Sequence, residues 1–275
     1  MEPFQVVAAV VIVCLAGMAQ SAVGFGYALF ATPPLVMIGL PLPNVIALIS
    51  TCSLLQAIIG VRRLRGSVPW RLSLTAMGVR LAGVIVGLFL LRELVALSAE
   101  QVRLVVGCVL CVLVGIQLIW RPRPVQSMHW AWGGLAFACS GLLAGFCGMG
   151  GPPLVLWSMA HDWPTRKTRG FLFGVFATAI PTQLALLWLT FGTPVLKYTA
   201  IGVAMLPLVY LGAMVGLPIG NRLGRTRLRR IAYVILLALG ISAVAPAFVH
   251  RSVPREIRAT EGDTAGHHSP INTAR

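Results

Sequence analysis

GFCGMGGPPLVL, Gly145–Leu156, ends one apolar run and begins another, and GFGYALFATPPLV, Gly24–Val36, does the same near the start of the chain. In both places a hydrophobic stretch meets clustered glycines, then a Pro-Pro pair, then more apolar residues. Glycine opens backbone conformations closed to other residues, while proline removes a donor and stops a helix from continuing. Such a break is tolerated at membrane depth only where it is buried in protein or lines a polar cavity. Two breaks at corresponding places in two halves are the sequence signature of a transporter's binding site.

The 275 residues around these breaks are 57% hydrophobic and only 11% charged, with mean hydropathy +0.87. Apolar runs cover approximately 4–22, 27–40, 44–61, 71–91, 103–120, 130–147, 151–160, 171–191, 198–219 and 231–249. This is an all-α polytopic membrane protein of about eight membrane segments. The net charge of +15 would point to nucleic acid in a soluble protein, but here the basic residues sit in short loops between apolar runs, as topology signals do. Segment 4–22 lacks a basic leader and flows into the first break, so it reads as a membrane segment rather than a cleaved signal. All six cysteines lie in apolar stretches. Cys108 and Cys111 form a CxxC with no histidine or second pair nearby, so no metal or redox cofactor is expected. Segment 251–275 is polar, without periodicity, and reads as a disordered tail.

The two halves correspond beyond the breaks. Gly83 and Gly87 match Gly212 and Gly216, and Thr51 and Gln56 match Thr178 and Gln183, at offsets near 127–129 residues. The offset shortens to 119 between Pro33-Pro34 and Pro152-Pro153. The domain reading is therefore a first repeat over 1–122 and a second over 123–250. If each break sits in a hairpin that enters and leaves on one side, most loop arginines share a side, from Arg62, Arg63, Arg65 and Arg71 through Arg121, Arg123, Arg166, Lys167 and Arg169 to Arg222–Arg230. Only Arg92, Arg103, Lys197 and the tail arginines fall opposite, which the positive-inside rule prefers. Each half is then one broken hairpin plus three spans, and an odd number of spans inverts one half against the other.

The paired breaks, the eight-segment pattern and the two related halves resemble the sulfite exporter TauE/SafE family of anion permeases. Gly145, Gly148, Gly150, Gly151, Pro152 and Pro153 are the closer match; the first copy keeps Gly24, Gly26 and Pro33 but carries Tyr27 and Ala28 where the family pattern has further glycines. The resemblance covers the chain to about Val249. It implies export or uptake of sulfite, sulfonates or other small sulfur-containing anions across a bacterial inner membrane.

The residues offer a matching chemistry. Helix starts after Gly26 and Gly151 would turn free N–H groups and positive dipole ends toward a small oxyanion held at mid-membrane. The comparison of copies makes Gly148–Pro153 the stronger half of that site. Thr51, Gln56, Thr178 and Gln183 could donate to sulfonate oxygens, or could hydrogen-bond between helices. Arg80 lies in mid-segment, where a charge is expensive and faces a cavity; the second half has Val209 or Tyr210 there. The expected substrate-binding set is thus Gly24, Gly26, Pro33, Thr51, Gln56, Arg80, Gly148, Gly150, Gly151, Pro152, Thr178 and Gln183.

All seven acids lie in loops, ends or tail, so no carboxylate serves as a proton relay. Export of an anion from a negative-inside cell is downhill by about 2.3 kcal/mol per charge per 100 mV and needs none. The expected function is anion export by alternating access. The alternatives are a proton-coupled importer and a non-transporting accessory protein. An intramembrane enzyme has only His161 and Asp162 to draw on, both in a turn, so no catalytic residue is expected. The expected partners are a small anion and the lipid bilayer, with a homodimer as an open alternative and no nucleic acid.

Overall fold

The computed structural model describes residues 2–23, 26–119, 129–223 and 233–243. Gly24, Arg121, Arg123, Arg225, Arg227, Arg229, Arg230 and segment 251–275 fall outside them. Every regular element among the described residues is an α-helix: α1 (Pro3–Val23), α2 (Tyr27–Met37), α3 (Leu42–Arg63), α4 (Trp70–Val95), α5 (Ala99–Ile119), α6 (Trp130–Cys147), α7 (Gly151–Met159), α8 (Thr165–Phe191), α9 (Thr193–Ala204), α10 (Leu206–Leu223) and α11 (Tyr233–Ala243).

Length divides these helices into two kinds. Six of them (α1, α3, α4, α5, α6 and α8) are long and apolar enough to cross a membrane. A seventh span results if α9 and α10 are taken together across their 48° bend. Pro207 accounts for that bend: it has no N–H to return to α9 and its ring crowds the preceding turn. Expectation and structure differ here. The arms of each break are unequal, because α1 and α6 have the length of full spans, while α2 and α7 are cut to 11 and 9 residues, about 16 and 14 Å at a helical rise of ~1.5 Å. The glycine breaks consume apolar length that a second full arm would need.

Each short helix returns along its long partner. The Gln5 amide in the first turns of α1 donates to the Ile38 carbonyl just past α2, at 3.2 Å. Trp157, near the end of α7, stands over Gly133, near the start of α6, where a Cβ would lie 3.3 Å from the indole nitrogen.

The principal packings run across the chain's middle: α4 lies on α6, α1 on α10, and α3 on α8. Glycines make the first two possible. A Cβ at Gly83 or Gly87 would strike the α6 backbone between Ala138 and Phe146, and one at Gly141 or Gly145 would strike the α4 backbone from Arg80 to Leu88. On the other side of the bundle, Gly212 and Gly216 of α10 close onto the backbone of Cys14 and Met18, and Gly17 of α1 onto Val209. The small-residue faces read at 83/87 and 212/216 thus both serve close crossings. α3 and α8 run antiparallel, with Gly60 beneath the Phe173 ring at one level and Ser50 beside Gln183 at another.

The outward faces stay apolar. Phe89, Val112 and Leu189 are 66%, 60% and 72% exposed, side chains that lipid rather than water would cover. At the end of the bundle where α3 stops and α8 starts, Trp157, His161 and Trp163 form an aromatic cluster with Lys167 over the Trp163 ring at 4.7 Å. Amphipathic rings beside basic residues are the composition of a membrane–water interface.

Candidate anion site

Both breaks open onto one cavity. Gly148 ends α6 in the left-handed region at φ 75°, its N–H bonding the Ala144 carbonyl at 3.1 Å. That glycine-terminated geometry leaves Met149 and Gly150 to turn the chain before α7 begins. The fully buried Ser140 hydroxyl donates to the Gly150 carbonyl and pins the turn against α6. At the first break Gly26 takes φ 96° and precedes α2. No side chain caps either α2 or α7.

The two helix starts are not equal donors. The first backbone bond closing α2 runs from the Phe30 N–H to the Gly26 carbonyl at 3.1 Å, so the N–H groups of Tyr27, Ala28 and Leu29 have no partner within the helix. All three residues line the cavity. α7 carries Pro152 and Pro153 in its first turn, and proline has no N–H to give. The glycine-poor copy is thus the richer in free first-turn donors, although Gly148–Pro153 carries more glycines. The Pro pairs are also not equivalent positions: Pro33 and Pro34 lie inside α2, with Pro33 buried away from the cavity wall.

The cavity has a volume of about 70 Å³, room for a few water molecules and hence for a small oxyanion. It lies at mid-bundle. Ser50, on its wall, is about 12 Å of helix from the start of α3 and about 20 Å from its end. Arg80 reaches the cavity from α4 and is 3% exposed. Its Nε and Nη1 are buried with no hydrogen-bond partner, and its guanidinium lies 5.5 Å from the centre of the Phe176 ring. None of the acids among the described residues (Glu2, Glu93, Glu100 and Asp162) lines the cavity. A buried cation in such surroundings is a large standing cost unless an anion visits it.

The glycines set the room around that charge. A Cβ at Gly150 would overlap the Ser140 carbonyl, come within 2.7 Å of Ala144 Cβ and lie 3.0 Å from Arg80 Nη2. At Gly151 a Cβ would meet nothing nearer than Phe176 at 4.0 Å. The first residue is therefore locked between α6 and the guanidinium, and the second faces open space.

Of the residues expected at the site, Gly26, Arg80, Gly148, Gly150, Gly151, Pro152 and Gln183 converge on this cavity. The Gln183 amide donates to the Ala144 carbonyl at 3.1 Å and to Ser50 Oγ at 3.5 Å, so it ties α8 to α6 and α3. Thr51, Gln56 and Thr178 are not on this wall. Thr51 Oγ1 donates to Ala47 at 2.8 Å and Thr178 Oγ1 to Gly174 at 2.9 Å, each a carbonyl of its own helix, which consumes the proton a substrate would need. Gln56 faces a neighbouring cavity.

Sequence reasoning missed Gln20, Ser50, Ser53, Arg169, Phe173 and Phe176, all on the wall. A signal existed. Arg169, Phe173, Phe176, Ile180 and Gln183 recur every three or four residues along α8 and share one face, so reading back from Gln183 at helical spacing would have found them.

A family model for the sulfite exporter TauE/SafE matches residues 9–243. The chain belongs to that family. It is also 26% identical over 236 residues to a probable sulfite/organosulfonate exporter TauE of Cupriavidus necator, covering 83% of this chain and 89% of that protein. No solved structure matches the chain. Membership in TauE/SafE makes this an integral membrane transporter, with a small anion and the bilayer as its partners. The family is one of transporters, not enzymes.

Proposed function

We propose that the chain exports sulfite or a compact sulfonate across the bacterial inner membrane, by alternating access at the cavity between Gly26 and Gly150. One observation carries this reading: two uncapped helix starts and the unpaired Arg80 guanidinium meet in a single oxyanion-sized space halfway along the bundle. The N–H groups of Tyr27–Leu29 and the positive end of α2 face developing contacts with oxygen, and Arg80 supplies the full charge. Gly26, Gly148, Gly150, Gly151 and Pro152 shape the pocket, while Gln183 holds its walls together.

The architecture that fits is a pair of inverted repeats, 1–122 and 123–250, each with a broken hairpin and a following set of spans. The return of α2 to the start of α1 and of α7 to the start of α6 supports the hairpins. The crossed pairing, α4 with α6 and α1 with α10, is what a pseudo-twofold relation between the repeats would produce. The basic end of the bundle, with Arg62, Arg63, Arg166, Lys167 and Arg169, is then cytoplasmic. No described acid reaches the cavity, so the membrane potential drives efflux without a carboxylate relay.

The experiment is flux of sulfite and of methanesulfonate in proteoliposomes under an imposed potential. Protein-dependent movement, faster when the anion starts on the negative side, is expected. Movement no faster than in protein-free vesicles would overturn the reading.

A further inference from the structure

A second cavity of about 350 Å³ adjoins the first and shares Gln20, Arg169 and Phe173 with it. It lies between the basic ends of α3 and α8 and the flank of α10. Two exposed arginines from different helices line it, Arg63 from the last turn of α3 and Arg169 from the start of α8. No acid among the described residues lines it. Gln56 completes the polar wall, and its Nε2 is buried with no hydrogen-bond partner. A buried amide N–H without an acceptor is unfavourable unless something in the cavity accepts from it. Leu55, Val209 and Met214 add apolar surface to its wall.

One aromatic ring stands with Gln20 and Arg169 where the two cavities adjoin. Phe173 lines both, and its ring lies against Gly60, where any Cβ would overlap it.

We propose that this vestibule is a second anion-binding site, in which Arg63, Arg169 and the Gln56 amide hold a sulfite- or sulfonate-type oxyanion at the cytoplasmic end before it passes Phe173 to the inner cavity. The inference rests on the export reading given above. Arg169 faces both spaces and is the point of transfer. The apolar residues take the short organic tail of a compact sulfonate, while the charged head is presented to Phe173. Two sites of moderate strength in series also suit transport, since a single strong site would retain its anion.

Equilibrium binding of radiolabelled sulfite to the purified full chain in nanodiscs tests this, alongside flux. Wild type is expected to bind two equivalents per chain. R63Q/Q56L is expected to bind one and to lose roughly tenfold in kcat/KM, the scale of one charge-assisted contact. Q56E, nearly identical in shape, is expected to lose the same equivalent by repulsion, which separates the site from any effect on folding. R80M is expected to lose flux while keeping the vestibular equivalent. Wild-type stoichiometry and kcat/KM in both R63Q/Q56L and Q56E, in a protein that does carry sulfite, would overturn the second site alone. A wild-type chain that neither binds nor carries sulfite or methanesulfonate would overturn the export reading, and this site with it.

Discussion

Replacing Arg80 by methionine is expected to make the protein more stable and less active. The guanidinium is 3% exposed, with Nε and Nη1 unpartnered and no described acid on its cavity. Exchanging a buried, incompletely compensated charge for an apolar side chain of similar length is neutral or stabilising by about 1–4 kcal/mol. For the anion the account reverses. Two orphan N–H groups at about 1.5–3 kcal/mol per charged hydrogen bond make about 3–6 kcal/mol, or roughly two to four orders of magnitude in affinity. The assay is thermal unfolding in detergent with and without sulfite, paired with proteoliposome flux. Wild type should gain about 2.7 kcal/mol when sulfite stands at roughly a hundred times its Kd. R80M should start higher, gain less from sulfite than wild type because only the vestibular site is left to bind it, and show no flux. An R80M protein that melts earlier than wild type and still moves sulfite would refute the reasoning, for Arg80 would then be a tether between helices.

Gly150→Ala should lose about 1–3 kcal/mol of stability as the Cβ is driven into Ser140 and Ala144, whereas Gly151→Ala should fold normally and transport poorly, since its methyl occupies the cavity; equal melting temperatures for the two would contradict the packing described. Ala28→Pro deletes one first-turn N–H from α2 at a position where proline is tolerated, and a rise in the KM for sulfite of roughly tenfold is expected from flux at varied concentration. Thr51→Val and Thr178→Val remove hydroxyls already committed to their own helices, so flux within roughly twofold of wild type is expected for each; a tenfold loss in either would place that hydroxyl on the substrate.

The breaks were legible because an α-helix cannot pass Gly/Pro clusters unchanged, and Arg80 because nothing else charged lies deep in an apolar run. Both signals are local. The face of α8 from Arg169 to Gln183 was hidden, since Phe173 and Phe176 in a membrane helix read equally well as lipid-facing residues. The partners of the Thr51 and Thr178 hydroxyls were hidden as well, because a hydroxyl's partner is set by the adjacent turn of backbone, which composition does not reveal. The glycine count says little about donors. It measures how closely a backbone can be approached, whereas the donors belong to whichever residues start the next helix, and two prolines at the start of α7 subtract two of them. The number of full spans was similarly out of reach, because it depends on where α2 and α7 stop rather than on where hydrophobicity does.

The glycine crossings carry a consequence for how the molecule is partitioned. Backbone meets backbone at Gly83, Gly87, Gly141 and Gly145, so α4, from before residue 120, is fused to α6, from after 129, with no side chains between them to slide or repack. Arg80 and the Gly150 turn therefore ride on one unit, while the Gly26 turn follows α1 and α10. Under the alternating access proposed above, the pieces that move would be two hybrids, each assembled from both stretches of sequence. Fragments cut between residues 119 and 129 would each expose a glycine-lined groove made for the other's helix. Neither would be a small working transporter, and only their co-assembly would restore the cavity.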